Sequence, residues 1–325
     1  MTKINMITAI NQALRHAMQE DKTVLLMGED VGVDGGVFRA SEGLQKDFGK
    51  DRVIDTPLAE AGIVGTAIGL SLNGFKPVAE IQFVGFAYEA FHQINHNMSR
   101  FRQRTEGTFT VPMVLRSPMG GGIRALELHS ESPETFFVHS QGLKVVIPSG
   151  PYDAKGLLLS AIKDPDPVIF LEPEKLYRSF KEEVPEEAYT IPLGEANVIR
   201  EGKDITLVAW GAMVRQCIEA ADKLAEENIS AEIIDLRTLW PLDTPKIITS
   251  VEKTGRAVVV YEAPRAVGFG TEIITRIQEK ALLSLEAPVG RVTGFDIPYP
   301  QFAMEKYFLP NVGRIIKGVK DTINF

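Results

Sequence analysis

Two α/β domains, each with helices packed on a parallel, doubly wound sheet, are what this sequence predicts. Three observations carry that expectation. A length of 325 residues suits two domains better than one. Short runs that are apolar at consecutive positions, such as Lys144-Val145-Val146-Ile147, are the signature of strands covered on both faces. Such runs alternate with helix-length segments along nearly the whole chain.

In chain order, a helix is expected over Ile4–Glu20 and a strand over Thr23–Gly28. A helix over Glu60–Leu72, a strand over Lys76–Phe83 and a helix over Ala87–Thr105 follow. Strands over Pro112–Arg116 and Lys144–Pro148, a helix over Tyr152–Lys163 and a strand over Val168–Leu171 complete the first half. The stretch from Glu172 to about Lys203 is polar, weakly periodic and interrupted by prolines, as a connector would be. Alternation then resumes. Strands are expected over Ile205–Trp210, Ala231–Leu236, Ala257–Tyr261 and Val289–Thr293, and helices over Ala212–Asn228 and Thr271–Leu283. The chain therefore divides into a first domain over residues 1–175, a linker over 176–203 and a second domain over 204–325. The pattern leaves strand order open.

Composition excludes several classes. A formal net charge of −8 argues against a nucleic-acid binder, which needs a basic face. No stretch approaches the roughly 20 apolar residues of a membrane helix, and Met1–Met6 shows no basic segment leading an apolar run, so a cytoplasmic protein is expected. One cysteine, Cys217, precludes an internal disulfide, and with five histidines it makes a structural zinc site a poor reading.

Four segments carry candidate chemistry. In Asp55-Thr56-Pro57-Leu58-Ala59-Glu60, the glutamate opens a helix of Gly, Ala, Ile and Val. It reads either as a first-turn acid favoured by the helix dipole, or as a partly buried acid that keeps its proton and bonds a basic ring nitrogen. In Gln82-Phe83-Val84-Gly85-Phe86, the second phenylalanine follows a strand end, where it either enters the core or stacks on a flat ligand. Gly120-Gly121-Gly122 makes a loop that can hug a ligand, but it fits neither the dinucleotide fingerprint nor the P-loop. His129 follows it, either as an ordinary histidine or as a polar contact for a substrate carboxylate or acyl group. Ala161-Ile162-Lys163-Asp164-Pro165-Asp166-Pro167 is a helix-ending turn, whose carbonyls are also able to ligate a monovalent cation.

Read together, these stretches resemble one family, the beta subunit of the first, decarboxylating component of pyruvate and branched-chain 2-oxo acid dehydrogenase complexes. Met27-Gly28-Glu29-Asp30-Val31-Gly32, Asp55–Glu60, Glu80-Ile81-Gln82-Phe83, Arg116-Ser117-Pro118, His129-Ser130, Tyr152–Leu158, Ile234–Thr238 and Ser250–Arg256 carry the resemblance over nearly the whole chain. It implies a transketolase-like fold, a doubly wound pyrimidine-binding domain followed by a transketolase C-terminal α/β domain. It also implies a heterotetramer of two alpha and two beta subunits, active only when the alpha subunit is present. Thiamine diphosphate would lie at the alpha–beta interface, with the alpha subunit holding the diphosphate and its magnesium. The chain agrees with that division, because it lacks the Gly-Asp-Gly…Asn pattern that holds them; Asp34-Gly35-Gly36 is different.

By the same resemblance, Glu60 bonds the aminopyrimidine ring and favours its imino tautomer, Phe86 packs on that ring, and Leu58 and Gln82 touch it. His129 would assist decarboxylation or reductive acylation of the lipoyl group on the dihydrolipoyl acyltransferase component. Glu29 and Glu89 match acids near the channel between the two cofactors. Backbone oxygens of Met113, Ala161, Ile162, Asp164 and Asp166 would form a potassium site, with Asp166 standing where some members have Asn. Glu286, Asp296 and the carboxylate of Phe325 are candidates for meeting a basic patch on the acyltransferase.

Substrate signals are mixed. Leu176–Phe180 and Phe83–Phe86 resemble pyruvate enzymes; His129–Glu134, Phe136-Phe137 and Arg291–Asp296 resemble branched-chain enzymes. Pyruvate is the preferred expectation. Two other functions compete: a self-sufficient transketolase-like thiamine enzyme, which the length and missing diphosphate motif oppose, and a non-catalytic scaffold of the same fold, which Glu60, Phe86 and His129 oppose.

Overall fold

The structure, a computed structural model, describes residues 1–325. Strand β1 (Thr2–Ile4) leads into the helix Met6–Glu20, which Asn5 caps by accepting the Thr8 N–H at 3.0 Å. Strands β2 (Val24–Gly28), β3 (Val53–Asp55), β4 (Lys76–Glu80), β5 (Val114–Met119), β6 (Lys144–Val146) and β7 (Val168–Pro173) follow. They lie side by side as β6-β7-β5-β4-β2-β3, every neighbouring pair parallel. Every residue of β2, β5 and β7 is buried, because helices cover both faces, so these strands need no polar alternation. With β3 on one side of β2 and β4 on the other, the winding reverses at β2 and opens a crevice beyond its carboxyl end.

After β8 (Glu182–Val184), which pairs antiparallel with β1, come β9 (Asn197–Arg200), β10 (Ile205–Ala209), β11 (Ala231–Asp235), β12 (Thr238–Trp240), β13 (Ala257–Val260) and β14 (Gly290–Val292). The second sheet runs β14-β13-β10-β11-β9, parallel except for β9. The expected α/β class with doubly wound sheets is therefore present. Strand β12 crosses back and pairs antiparallel with β6, which extends the first sheet to seven strands.

Two local expectations need correction. The polar stretch that reads as a connector carries β8 and β9, which find partners far away in sequence. The single helix expected over Ala87–Thr105 is instead a 3₁₀ turn (Val84–Tyr88), a π-helical turn (Gln93–Met98) and a short α-helix (Phe101–Arg104). There the Ser99 hydroxyl donates to the Asn95 carbonyl at 2.7 Å and the Asn97 amide to Gln93 Oε1 at 2.6 Å, side-chain bonds that compete with the regular ladder.

The two halves share their cores. Leu26 and Val78 of the first sheet sit in one buried cluster with Leu207 and Val258 of the second, while Met27 and Ala79 join Val208 and Val259 in another. Continuous apolar packing across the junction holds the halves together, so loops that bridge them have rigid supports on both sides. No helix is long and apolar enough to cross a membrane.

Candidate functional site

Four adjacent strands deliver the site. Glu29 follows β2, Glu60 opens the helix Glu60–Leu72 after β3, and Gln82 and Phe86 follow β4. After β5, the chain runs through Gly120-Gly121-Gly122 to a short turn, Glu127–His129, that presents His129. All of them stand beyond strand carboxyl ends around the point where the winding reverses.

Leu58, Glu60, Gln82 and Phe86 line one open cavity of about 520 Å³, together with Glu29, Glu89 and Leu128. The structure thus brings together all four residues expected to touch the cofactor. Glu60 is 7% exposed although its helix is otherwise apolar, whereas Leu58 at the rim is 78% exposed. Burial, then the charges of Glu60 and Asp30, raise the Glu29 carboxyl above the usual carboxylate range. Gln82 donates to Asp30 Oδ2 at 3.1 Å, which fixes the amide over the cavity wall.

His129 stands behind Phe86. Its ring lies 4.2 Å from that of Phe83 and 5.2 Å from that of Phe86, centroid to centroid. Its Nδ1 is buried with no hydrogen-bond partner, as is Thr56 Oγ1 at the foot of the Leu58 loop. Both are buried polar atoms without a partner, each within two residues of one that lines the cavity. Gly85 is required here: a Cβ would collide with the Leu128 carbonyl that precedes His129.

In the buried interior of the first sheet, Arg116 is 1% exposed and bonds both oxygens of Glu172 at 2.8 and 2.7 Å, as well as Glu80. Tyr177 adds its hydroxyl to Glu172 at 2.6 Å. Each buried charge is therefore paired, and the ends of β4, β5 and β7 are tied together.

Other expected residues lie apart from this cavity. The Met113 carbonyl accepts the Val168 N–H at 3.0 Å, which draws it to the turn holding Ala161, Ile162, Asp164 and Asp166. In that turn the Asp164 carboxylate is bonded by Lys144 at 2.7 Å and Asp166 by Arg102 at 2.6 Å, so both carboxylates already face a cationic side chain. Glu286 pairs with Arg256 at 2.5 Å, Asp296 accepts the Ala266 N–H at 2.7 Å, and Phe325 is 82% exposed.

Sequence reasoning missed two features. Phe83 shelves the imidazole, for which the phenylalanine spacing in Phe83–Phe86 was a usable signal. The second is a set of contacts from the C-terminal half to the glycine loop, at Glu262, Tyr299 and Glu305, which lie 141 residues or more downstream of Gly121 or Arg124 and leave no local trace.

The chain matches the family described as transketolase, pyrimidine binding domain, over residues 2–179, and transketolase, C-terminal domain, over residues 194–315. It is 54% identical over 325 residues to the pyruvate dehydrogenase E1 component subunit beta of Staphylococcus aureus (strain MW2), with 100% of both chains covered. The subunit of the same name from Staphylococcus epidermidis (strain ATCC 12228) is also 54% identical over the full length of both. Among solved structures, a split gene transketolase in an inactive beta4 tetramer superposes with a TM-score of 0.80, covering 99% of each chain at 23% identity, and so shares the fold.

Proposed function

This chain belongs to the family of pyruvate dehydrogenase E1 component beta subunits, and from that premise we propose that it contributes half of a thiamine diphosphate site, completed by an alpha subunit. The observation that carries the proposal is the single cavity at four adjacent strand ends, lined by Leu58, Glu60, Gln82 and Phe86. The residues present fit the aminopyrimidine end of the cofactor. They supply a buried carboxyl, an aromatic face, an amide and an apolar rim, and they supply no metal-holding cluster. Magnesium and the diphosphate are proposed to be held by the alpha subunit, as the family resemblance implies.

When bound, thiamine diphosphate supplies an acidic thiazolium carbon that acts as nucleophile and electron sink for loss of carbon dioxide from a 2-oxo acid. The chain's residues prepare that chemistry. Glu60, short of solvent, is placed to bond a ring nitrogen of the aminopyrimidine and so to favour its reactive tautomer. Phe86 offers its ring to the flat heterocycle, and Gln82, held by Asp30, adds a directed amide. His129, with Nδ1 unpartnered, holds or moves a proton near the acyl group during decarboxylation or its transfer to the lipoyl arm.

Leu58 and Leu128, which line the cavity, are exposed, as are Ile123 and Leu126 nearby in sequence, apolar surface suited to cover by the alpha subunit in a two-alpha, two-beta assembly. Pyruvate is the proposed 2-oxo acid, supported by the names of relatives that match over their full length. Backbone oxygens of Met113, Ala161, Ile162, Asp164 and Asp166 are proposed to hold potassium. Glu286, Asp296 and the Phe325 carboxylate are proposed to dock the dihydrolipoyl acyltransferase; of these, Glu286 is already paired with Arg256, so Asp296 and the terminus carry more of the free charge. Charge reversal at Asp296 that leaves capture by the acyltransferase core unchanged would refute the docking assignment.

The function is tested by assaying 2-oxo acid decarboxylation with thiamine diphosphate and magnesium, using this chain alone and co-expressed with its alpha subunit. Turnover of pyruvate above 3-methyl-2-oxobutanoate, seen only in the pair, is expected. The reverse preference would reassign the substrate, and no turnover in the pair would favour a scaffold.

A further inference from the structure

We infer that Glu262, in the C-terminal half, is a positioning residue for His129, which it sets by anchoring the glycine loop that carries the imidazole. The inference rests on the reading of the cavity above and extends it to a part of the chain that lines none of that cavity.

The loop needs an external support. It leaves β5 at Met119, is closed by the Gly120 N–H donating to the Glu131 carbonyl at 2.9 Å, and presents His129 shortly before closure. Its three glycines have no side chains to pack, and Gly120 and Gly122 adopt φ of 84° and 99°, where glycine is favoured and the chain is otherwise free to wander. The cavity side fixes only the far end of the loop, where the Leu128 carbonyl abuts Gly85.

The C-terminal half fixes the near end. Glu262 follows β13, is 9% exposed, and accepts the Gly121 N–H at 3.0 Å. A Cβ on Gly120 would come within 2.7 Å of Glu262 Oε2, and one on Gly121 would collide with the Tyr299 hydroxyl, so backbone and anchor fit without slack. Tyr299 donates to Glu305 Oε2 at 2.8 Å, and the same oxygen accepts the Arg124 N–H at 3.2 Å. These contacts fall on the loop backbone between Gly121 and Arg124, and Gln301 adds a longer bond to the Glu127 side chain at 3.4 Å.

A carboxylate suits the role, since a backbone N–H bonds an anion more strongly than a neutral oxygen. The groups facing Glu262 are Glu134, Glu174, Glu305 and Lys175. Burial first, and then neighbouring carboxyls, push Glu174 up to about 9. Burial likewise pushes Glu134 to about 8, so both hold protons at neutral pH. Glu262 rises only to about 6, because the Gly121 N–H and Lys175 oppose its burial.

The test uses the chain co-expressed with its alpha subunit and follows acyl transfer to a lipoyl acceptor in Glu262→Ala, Glu262→Gln, His129→Ala and the double variant Glu262→Ala/His129→Ala. Glu262→Ala is expected to lower kcat about 10- to 100-fold, as loss of reactive geometry does, with KM for pyruvate little changed. Glu262→Gln, whose amide oxygen still accepts the Gly121 N–H, is expected to restore most of the rate. The double variant should be no slower than His129→Ala alone, because the anchor acts through the histidine. Losses that multiply, or a wild-type rate in Glu262→Ala, would overturn the inference. A wild-type rate in His129→Ala would instead remove its premise, and so sink the reading of the site. Should Glu262→Ala fail to assemble, Tyr299→Phe keeps the ring on the loop and removes the hydroxyl that meets Glu305 and the Gly122 backbone in the same anchoring set. A smaller kcat loss that vanishes in the His129→Ala background supports the inference, and one that persists there contradicts it.

Discussion

The imidazole of His129, next in the chain to the cavity-lining Leu128, lies 4.2 Å from the ring of Phe83, inclined by 58°, with its Nδ1 buried and unpartnered. A proton-carrying group so placed is expected to matter for chemistry more than for folding. His129→Ala should lower turnover with a lipoyl acceptor by about 10²-fold and leave the thermal unfolding midpoint near that of the parent. Steady-state assays beside a melting curve would check this, and an unchanged rate would exclude a proton-handling role.

Glu60 opens its helix at 7% exposure. Glu60→Gln keeps the shape and replaces the carboxyl with an amide. Decarboxylation by the assembled enzyme should fall about 10²- to 10⁴-fold, with a circular dichroism spectrum that overlays the parent's. A residual rate close to the parent's would mean that the carboxyl serves only the helix dipole.

Glu134 is fully buried, both its oxygens lack partners, and burial raises it from 4.5 to about 8. Its folded form therefore binds a proton more tightly than its unfolded form. The contribution of this group to stability is complete below pH 4.5 and is lost as pH rises toward about 8, at up to about 1.4 kcal/mol per pH unit. Glu134→Gln, neutral at every pH, should flatten that decline and raise the midpoint of denaturant unfolding at pH 8.5 more than at pH 5. Parallel pH profiles for variant and parent would contradict the assignment.

Arg116 holds Glu172 and Glu80 together in the buried interior of the first sheet. Arg116→Met would strand two carboxyls in a dry interior, at a cost of about 3–5 kcal/mol. Urea unfolding should show it. A loss below about 1 kcal/mol would place this network among solvated ion pairs.

How much of this was legible in the sequence depends on the element. The strands Ile205–Ala209, Ala231–Asp235 and Ala257–Val260 end within a residue of where their apolar runs end, because both faces are covered. The helix Glu60–Leu72 has the bounds that its composition implies. The helix Thr244–Thr254 was not expected, although Asp243 caps it by accepting the Lys246 N–H and Gly255 ends it at a φ of 68°. Its punctuation was readable, but with only one buried face its apolar positions are sparse. Strand β12 exists because β6 offers it an edge, which no local pattern encodes. The cavity residues were legible because each follows a strand end in a recognisable stretch. The Glu262 anchor was not, because 141 residues separate it from the glycine it holds.

The central claim is that this chain holds one half of a shared thiamine site, and titration calorimetry tests it most directly. Thiamine diphosphate with magnesium would be titrated into the chain alone, into the chain assembled with its alpha subunit, and into the same assembly carrying Glu60→Gln. Saturable binding in the assembly, weakened by the substitution and absent from the lone chain, is the expected result. Equally tight binding by the lone chain, or binding in the assembly that ignores Glu60, would contradict it.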